Sequence, residues 1–406
     1  MTVKDIRTQF PILDIPVYGK SLVYLDNAAT SQRPQAVSQE LVKLAGSANA
    51  NIHRAVHFLA GKATDAYENT RDFVREYLNA SSREEIVFTS GTTAAINLVA
   101  FSFGEAFVGE GDEIIVSAAE HHSNIVPWQM LCERKKATLK VLDIQENGVL
   151  LPECLEKLIS ERTKIVAITQ ISNVLGIINP VQEIVSICHK KGVPVLVDGA
   201  QGVVHSKVDV HQLDCDFYVF SGHKVFAATG TGVLYGKKKW LDAMPPYMGG
   251  GEMIKSVSFS GTTYAPLPEK FEAGTQNFNA VPTLVPAMEF AKACREDSSL
   301  QMEQRAILEY VYEQITQNEL ITLYGTPIES KIPLFSFAVR GAHHEDLALI
   351  LDKMGIAVRS GQMCAEPLMD RLGVTGLLRA SFAPYNTMEE AEYFIKSLNK
   401  AVHMLV

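Results

Sequence analysis

The chain has 406 residues, 47% of them hydrophobic and 20% charged, with a formal net charge of -9. That describes a globular protein with one large and one smaller domain, and the acidic balance speaks against nucleic acid or an anionic membrane as partner. No apolar run approaches the ~18–20 residues of a bilayer span, and "MTVKDIRTQFPILD" lacks the apolar core of ~7–15 residues that marks a secretory signal, so a cytoplasmic protein is expected.

From about residue 84 to 236 short apolar runs alternate with helical patterns. The runs are "EEIVFTS", "DEIIVSA", "TKIVAITQ", "VPVLVDGA", "DFYVFSG" and "TGVLYG", and stretches such as "TTAAINLVAFSFG" and "PVQEIVSICHKKG" carry helical periodicity. This alternation predicts an α/β fold with a doubly wound, mostly parallel sheet. Residues 245 to 280, rich in Gly and Pro, read as a loop at a crevice or subunit interface. After residue 295 come a long helix, a strand "PLFSFAVRG", a helix "HHEDLALILDKMG", then "GIAVRSG" and "LLRASFA". A closing helix starts at Thr387 with Glu390 three positions on, a capping-box pattern. The expected division is an N-terminal segment over 1–20 packing with the small domain, a large domain over 21–290, and a small α+β domain over 291–406.

The six cysteines show no Cys-x-x-Cys spacing, so no zinc or dithiol motif is expected and no metal is assigned. Four lie in or beside apolar patterns, where a free cysteine is a small core residue. Cys364, in "RSGQMCAEPLM" between Gly361 and Pro367, is a loop cysteine with Arg359 nearby.

Most strands of the large domain end in polar residues of unusual character. "IVFTS" leads to Gly91-Thr92-Thr93, "IIVSAAE" to His121-His122, and "IVAITQIS" to Asn173. "VPVLVD" ends in Asp198 with Gln201 next, and "DFYVF" ends in Ser221-Gly222-His223-Lys224. Ligands of open α/β sheets bind outside the carboxyl ends of the strands, so these residues should share one crevice. Each alone has an ordinary explanation: Thr92 and Thr93 cap a helix, Asp198 caps another, and Lys224 snorkels to water. One cofactor, pyridoxal phosphate, explains them together. Lys224 captures its aldehyde as a Schiff base, and Asp198 partners the ring nitrogen and favours its protonated form. Gly91-Thr92-Thr93 opens a helix whose free N–H groups attract a phosphate. Ser221 and His223 add donors, His121 stacks on the ring, and Gln201 reaches the phenolic oxygen.

With these motifs in order, joined by "YLDNAAT" (24–30), "NIHRAVH" (51–57), "AEHHSNIVPWQ", "ISNVLG", "FEAGTQN" and "VRSGQMCAEPLM", the chain resembles the class V, fold-type I pyridoxal-phosphate enzymes. More narrowly it is similar to the group II, Suf-type cysteine desulfurases and selenocysteine lyases, over nearly its whole length. The resemblance implies Lys224, Cys364 and His121 as catalytic residues. It implies Thr92, Thr93, His121, Asp198, Gln201, Ser221, His223, Lys224 and Thr275 as cofactor contacts, with Thr275 reaching the phosphate of a neighbouring subunit in a homodimer. Asn173, Arg359, Arg379, His53 and Arg54 are implied on the substrate side. Cys364 falls on the persulfide-forming cysteine. The implied activity takes sulfur from L-cysteine, leaves L-alanine and a Cys364 persulfide, and feeds iron–sulfur cluster assembly through a SufE- or SufU-like acceptor. L-selenocysteine is a further implied substrate. The chain departs from many relatives at Gln362-Met363, where they carry histidines, and at Val225-Phe226-Ala227-Ala228, where they continue Gly-Pro.

The alternatives are another class V enzyme (a selenocysteine-restricted lyase, a kynureninase-like hydrolase or an aminotransferase), none of which needs a thiol in this loop. A non-catalytic subunit holding the cofactor is disfavoured by the intact Lys224, Asp198 and Cys364. "GTGVLYG" hints at dinucleotide binding, but its glycines precede the strand instead of following it.

Overall fold

In the computed structural model, which describes residues 2–406, the apolar runs form one seven-stranded sheet. Its spatial order is Ile86–Thr89, Gly232–Gly236, Phe217–Ser221, Val195–Asp198, Thr163–Thr169, Glu113–Ser117 and Thr138–Leu142. Neighbours pair in parallel from Phe217–Ser221 to Thr138–Leu142. Gly232–Gly236 is antiparallel to both its neighbours. A chain reversal there leaves no βαβ unit around "GTGVLYG", which removes the dinucleotide reading.

The inner strands are apolar on both faces because helices cover both. Phe217 and Val219 enter one core with Val87, Ile114 and Leu196. Tyr218 and Phe220 enter the other with Phe88, Ile168 and Val197. Each such side chain contributes roughly 1.5–3 kcal/mol on burial, so the sheet is a stiff platform for the residues at its ends.

The second sheet is antiparallel, in the order Ile321–Tyr324, Leu334–Val339, Leu377–Ser381 and Arg359–Gly361. Helices Ser298–Thr316 and Met388–Leu405 cover it through Ile307, Val311 and Phe394. The closing helix begins in the expected capping box: Thr387 Oγ1 accepts the Glu390 N–H, and the Glu390 carboxylate accepts the Thr387 N–H, both at 3.2 Å. Val23 and Leu25 join this smaller core, and Val23–Tyr24 pair in parallel with Ile356–Ala357. The N-terminal segment touches both bodies: Arg7 pairs with Glu390 at 2.7 Å, while the Phe10 ring packs on Phe226 and Phe290.

The reading of 245–280 as loop alone is corrected by a hairpin, Ile254–Ser258 with Gly261–Tyr264, exposed along nearly its whole length. Within the two main sheets, two strands escaped the sequence pattern, Thr138–Leu142 and Ile321–Tyr324; both lie at sheet edges. Among the described residues no helix is long and apolar enough to cross a membrane.

Candidate active site

The carboxyl ends of five large-sheet strands open onto a cavity of about 220 Å³, closed on its far side by the second sheet. Thr92, Thr93, His121, Asn173, Asp198, Ser221, His223 and Lys224 line it from the large sheet, and Arg359, Met363, Cys364 and Arg379 from the small one. Ala28, Ala29, Ser123 and Ala200 complete the wall.

One end of the cavity is a nest of donors. Gly91 caps helix Thr92–Phe107 at φ 152°, and a Cβ at Gly232 would meet the Gly91 Cα at 2.4 Å, so this turn packs without room for side chains. Ser221 Oγ accepts the Thr92 N–H at 2.8 Å, and Thr93 Oγ1 lies 2.7 Å from Ser123 Oγ. Ser123 was not visible in the sequence; a serine two residues after a cavity histidine carries no distinguishing pattern. The remaining free N–H groups at the start of the helix suit this end of the cavity to an anion.

In the middle stand Asp198 and Lys224. Asp198 is buried, and one carboxylate oxygen accepts the Ala200 N–H at 2.9 Å. Burial pushes its pKa up while the Lys224 charge pulls it down. Lys224 is pushed down by burial, against the attraction of Asp198 and with the help of Arg379. His121 falls to about 3, first through burial and then through its neighbours Lys224, His122 and Arg379. Burial and the neighbouring Lys224 and Arg33 take His223 to about 4. Both imidazoles are therefore neutral at physiological pH.

The opposite wall carries two arginines and the thiol. Arg379 is 2% exposed; its Nη1 donates to the Asn173 carbonyl at 2.9 Å and its Nη2 to Asp26 at 3.0 Å. Its Nε is buried without a partner. Arg359 Nε donates to the same Asp26 oxygen at 3.1 Å, and that bond heads the influences raising its pKa. Cys364 is exposed to the cavity mouth. Asp26, in "YLDNAAT", belongs to this site, and nothing in its local sequence marks it as the holder of both arginines.

Four residues singled out in the sequence do not line this cavity in this chain. Gln201 Nε2 donates to the Ala28 carbonyl at 2.7 Å and lines an adjoining small cavity that Lys224 also reaches. Thr275 lines a separate cavity with Tyr247 and Asn277. His53 bonds Glu68 at 3.1 Å and Arg54 pairs with Glu252 at 2.8 Å.

Residues 23–394 match the family described as aminotransferase class-V. The chain belongs to that family. Among its class-V relatives, the chain is 47% identical over 400 residues to a probable cysteine desulfurase of Halalkalibacterium halodurans, covering 98% of each. It is 45% identical to a cysteine desulfurase of Enterobacter sp., over 99% of each. The fold is similar to that of a cysteine desulfurase of Escherichia coli, with a TM-score of 0.91 and 38% identity over 100% of both chains. It is similar, too, to the apo cysteine desulfurase of Thermococcus onnurineus, with a TM-score of 0.93 and 35% identity over 100% of this chain and 99% of that one.

Proposed function

We propose that this protein is a cysteine desulfurase that holds pyridoxal 5'-phosphate, moves the sulfur of L-cysteine onto Cys364 and releases L-alanine. One observation carries the reading: Lys224, Asp198, Arg379 and Cys364, from four separate segments, line a single cavity. The full-length desulfurase relatives favour this activity over the lyase, hydrolase and aminotransferase alternatives.

The residues suit the cofactor. The phosphate belongs in the donor nest formed by the start of helix Thr92–Phe107 with Thr93, Ser123 and Ser221. Asp198, buried with a single hydrogen bond, answers to a protonated ring nitrogen. Lys224 would hold the aldehyde carbon. When bound, the cofactor supplies a carbonyl for the substrate amine and an electron sink for its α-carbon.

The chain's own groups do the rest. Arg379, fixed by Asn173 and Asp26, offers its unpartnered Nε edge to the substrate carboxylate, and Arg359 adds a second positive charge. Lys224, with its amine shifted toward the neutral form by burial, takes the α-proton. Neutral His121 presents its ring face and an N–H to the reacting groups. The Cys364 sulfur bonds to the substrate sulfur as the carbon–sulfur bond breaks; L-cysteine plus the Cys364 thiol become L-alanine plus the Cys364 persulfide, with no external oxidant.

The finer reading is a cytoplasmic homodimer in which Thr275 serves the partner's phosphate. A SufE- or SufU-like protein collects the persulfide sulfur for iron–sulfur cluster assembly, and L-selenocysteine is a second substrate. The test is stoichiometric: purified holoenzyme and L-cysteine should give L-alanine and one persulfide per chain before any acceptor is added. Alanine without persulfide overturns the reading.

A further inference from the structure

His122 stands one residue after His121 and grips the cysteine loop at two points, Cys364 and Glu366. Its backbone N–H donates to the Cys364 carbonyl at 2.7 Å. Its ring Nε2 accepts the Glu366 N–H at 2.9 Å. Because Nε2 faces a backbone donor, it carries the lone pair, and the ring proton is assigned to Nδ1.

The loop needs such grips. Met363 and Cys364 have φ of 55° and 54°, two consecutive side-chain-bearing residues in the left-handed region. Conformations of this kind persist where their surroundings over-determine them. From the large-sheet side, Asn173 Nδ2 fastens the Met363 carbonyl at 2.9 Å, and His122 fastens Cys364 and Glu366. His121 closes the same short turn, its Nδ1 accepting the Ser123 N–H at 3.0 Å. One turn therefore fixes both the cavity histidine and the thiol-bearing loop.

We propose that His122 is a positioning residue: its imidazole holds the Cys364 loop in its left-handed arch and keeps the thiol in register with His121. The inference rests on Cys364 being the sulfur acceptor. It assigns no proton transfer to His122, which touches no reacting atom. Removing the ring leaves the backbone grip on the Cys364 carbonyl intact but strips the Glu366 N–H of its acceptor. A glutamine restores an acceptor at similar reach.

The experiment compares wild-type, His122→Ala and His122→Gln holoenzymes, with Cys364→Ala as a reference. Two quantities are read: amide hydrogen exchange over residues 362–368, and single-turnover persulfide formation from L-cysteine. In His122→Ala, exchange at Glu366 should quicken and persulfide formation at saturating L-cysteine should slow, each by about tenfold, the factor expected for one lost hydrogen bond. KM and the cofactor absorbance should stay at their wild-type values, showing an intact cavity. His122→Gln should return both quantities to within about threefold of wild type, since the acceptor is regained. Wild-type exchange and wild-type persulfide formation in His122→Ala would overturn the inference. So would a glutamine variant with restored exchange but the alanine variant's slow chemistry. If Cys364→Ala itself forms product at the wild-type rate, the sulfur-acceptor reading has failed, and the exchange data still report whether His122 holds the loop.

Discussion

Arg379 Nη2 donates to Asp26 Oδ1 at 3.0 Å, and the same oxygen receives Arg359 Nε at 3.1 Å. A carboxylate just after the Val23–Tyr24 strand thus aligns two arginines of the small sheet, and the Asn173 carbonyl locks the other arm of Arg379. A fork held at both arms meets a carboxylate with little further ordering. Arg379→Lys keeps the charge and loses the fork. Steady-state assays should show KM for L-cysteine raised about tenfold or more, as expected for loss of a charge-assisted hydrogen bond. An unchanged KM would remove Arg379 from the carboxylate site.

The position of Lys224 predicts where the cofactor is anchored. The purified protein should be yellow, and borohydride should fix the pyridoxyl group on Lys224, as peptide mass mapping would show. Lys224→Ala should abolish both fixation and turnover while leaving the fold intact by circular dichroism. Recovery of the group on any other lysine contradicts the assignment.

Glu68 sets an acid limit to stability. Burial alone would raise its pKa, but the hydrogen bond with His53 and the charges of Arg71 and Arg83 outweigh it and lower the value from 4.5 to about 2. His53 moves the other way, raised by the same bond. Between these two values the unfolded chain binds the proton and the folded chain does not, so Glu68 stabilises the fold fully above its unfolded pKa and loses that contribution as pH falls toward 2. Urea unfolding should find Glu68→Gln less stable than wild type near neutrality, with the gap closing below about pH 4. A gap that stays constant down to about pH 3 contradicts this.

Thr275 lies outside the main cavity of its own chain, as a residue serving a neighbouring subunit would. Sedimentation should give a dimer at assay concentrations, and Thr275→Val should weaken cofactor retention about tenfold, the loss of one hydrogen bond to a charged group. A fully active monomer rules out the shared site.

Much of this was legible in the sequence because the sheet writes a plain code: an apolar run fixes a strand, and the polar residue after it lands at the strand's carboxyl end. Asp198 and Lys224 were readable in that way. The strand Thr138–Leu142 was not, because an edge strand half open to water has Lys140 and exposed Val141 in place of a continuous apolar run. The hairpin at 254–264 was masked likewise, since strands exposed on both faces leave no alternation to read. Asp26, Ser123 and the grip of His122 on the cysteine loop depend on segments brought together only by the tertiary fold. Gln201 was readable as a site residue, but its commitment to the Ala28 carbonyl was not.

The most direct measurement is a side-by-side assay of wild type and Cys364→Ala with L-cysteine, following L-alanine and protein-bound persulfide. Cys364 sits at the mouth of the cavity that also holds Lys224 and Arg379, so the mutant should keep the yellow absorbance while losing persulfide and nearly all alanine. L-selenocysteine cleavage should survive in part, because selenium leaves without a thiol's help. A Cys364→Ala protein that forms alanine from L-cysteine at the wild-type rate would contradict the account.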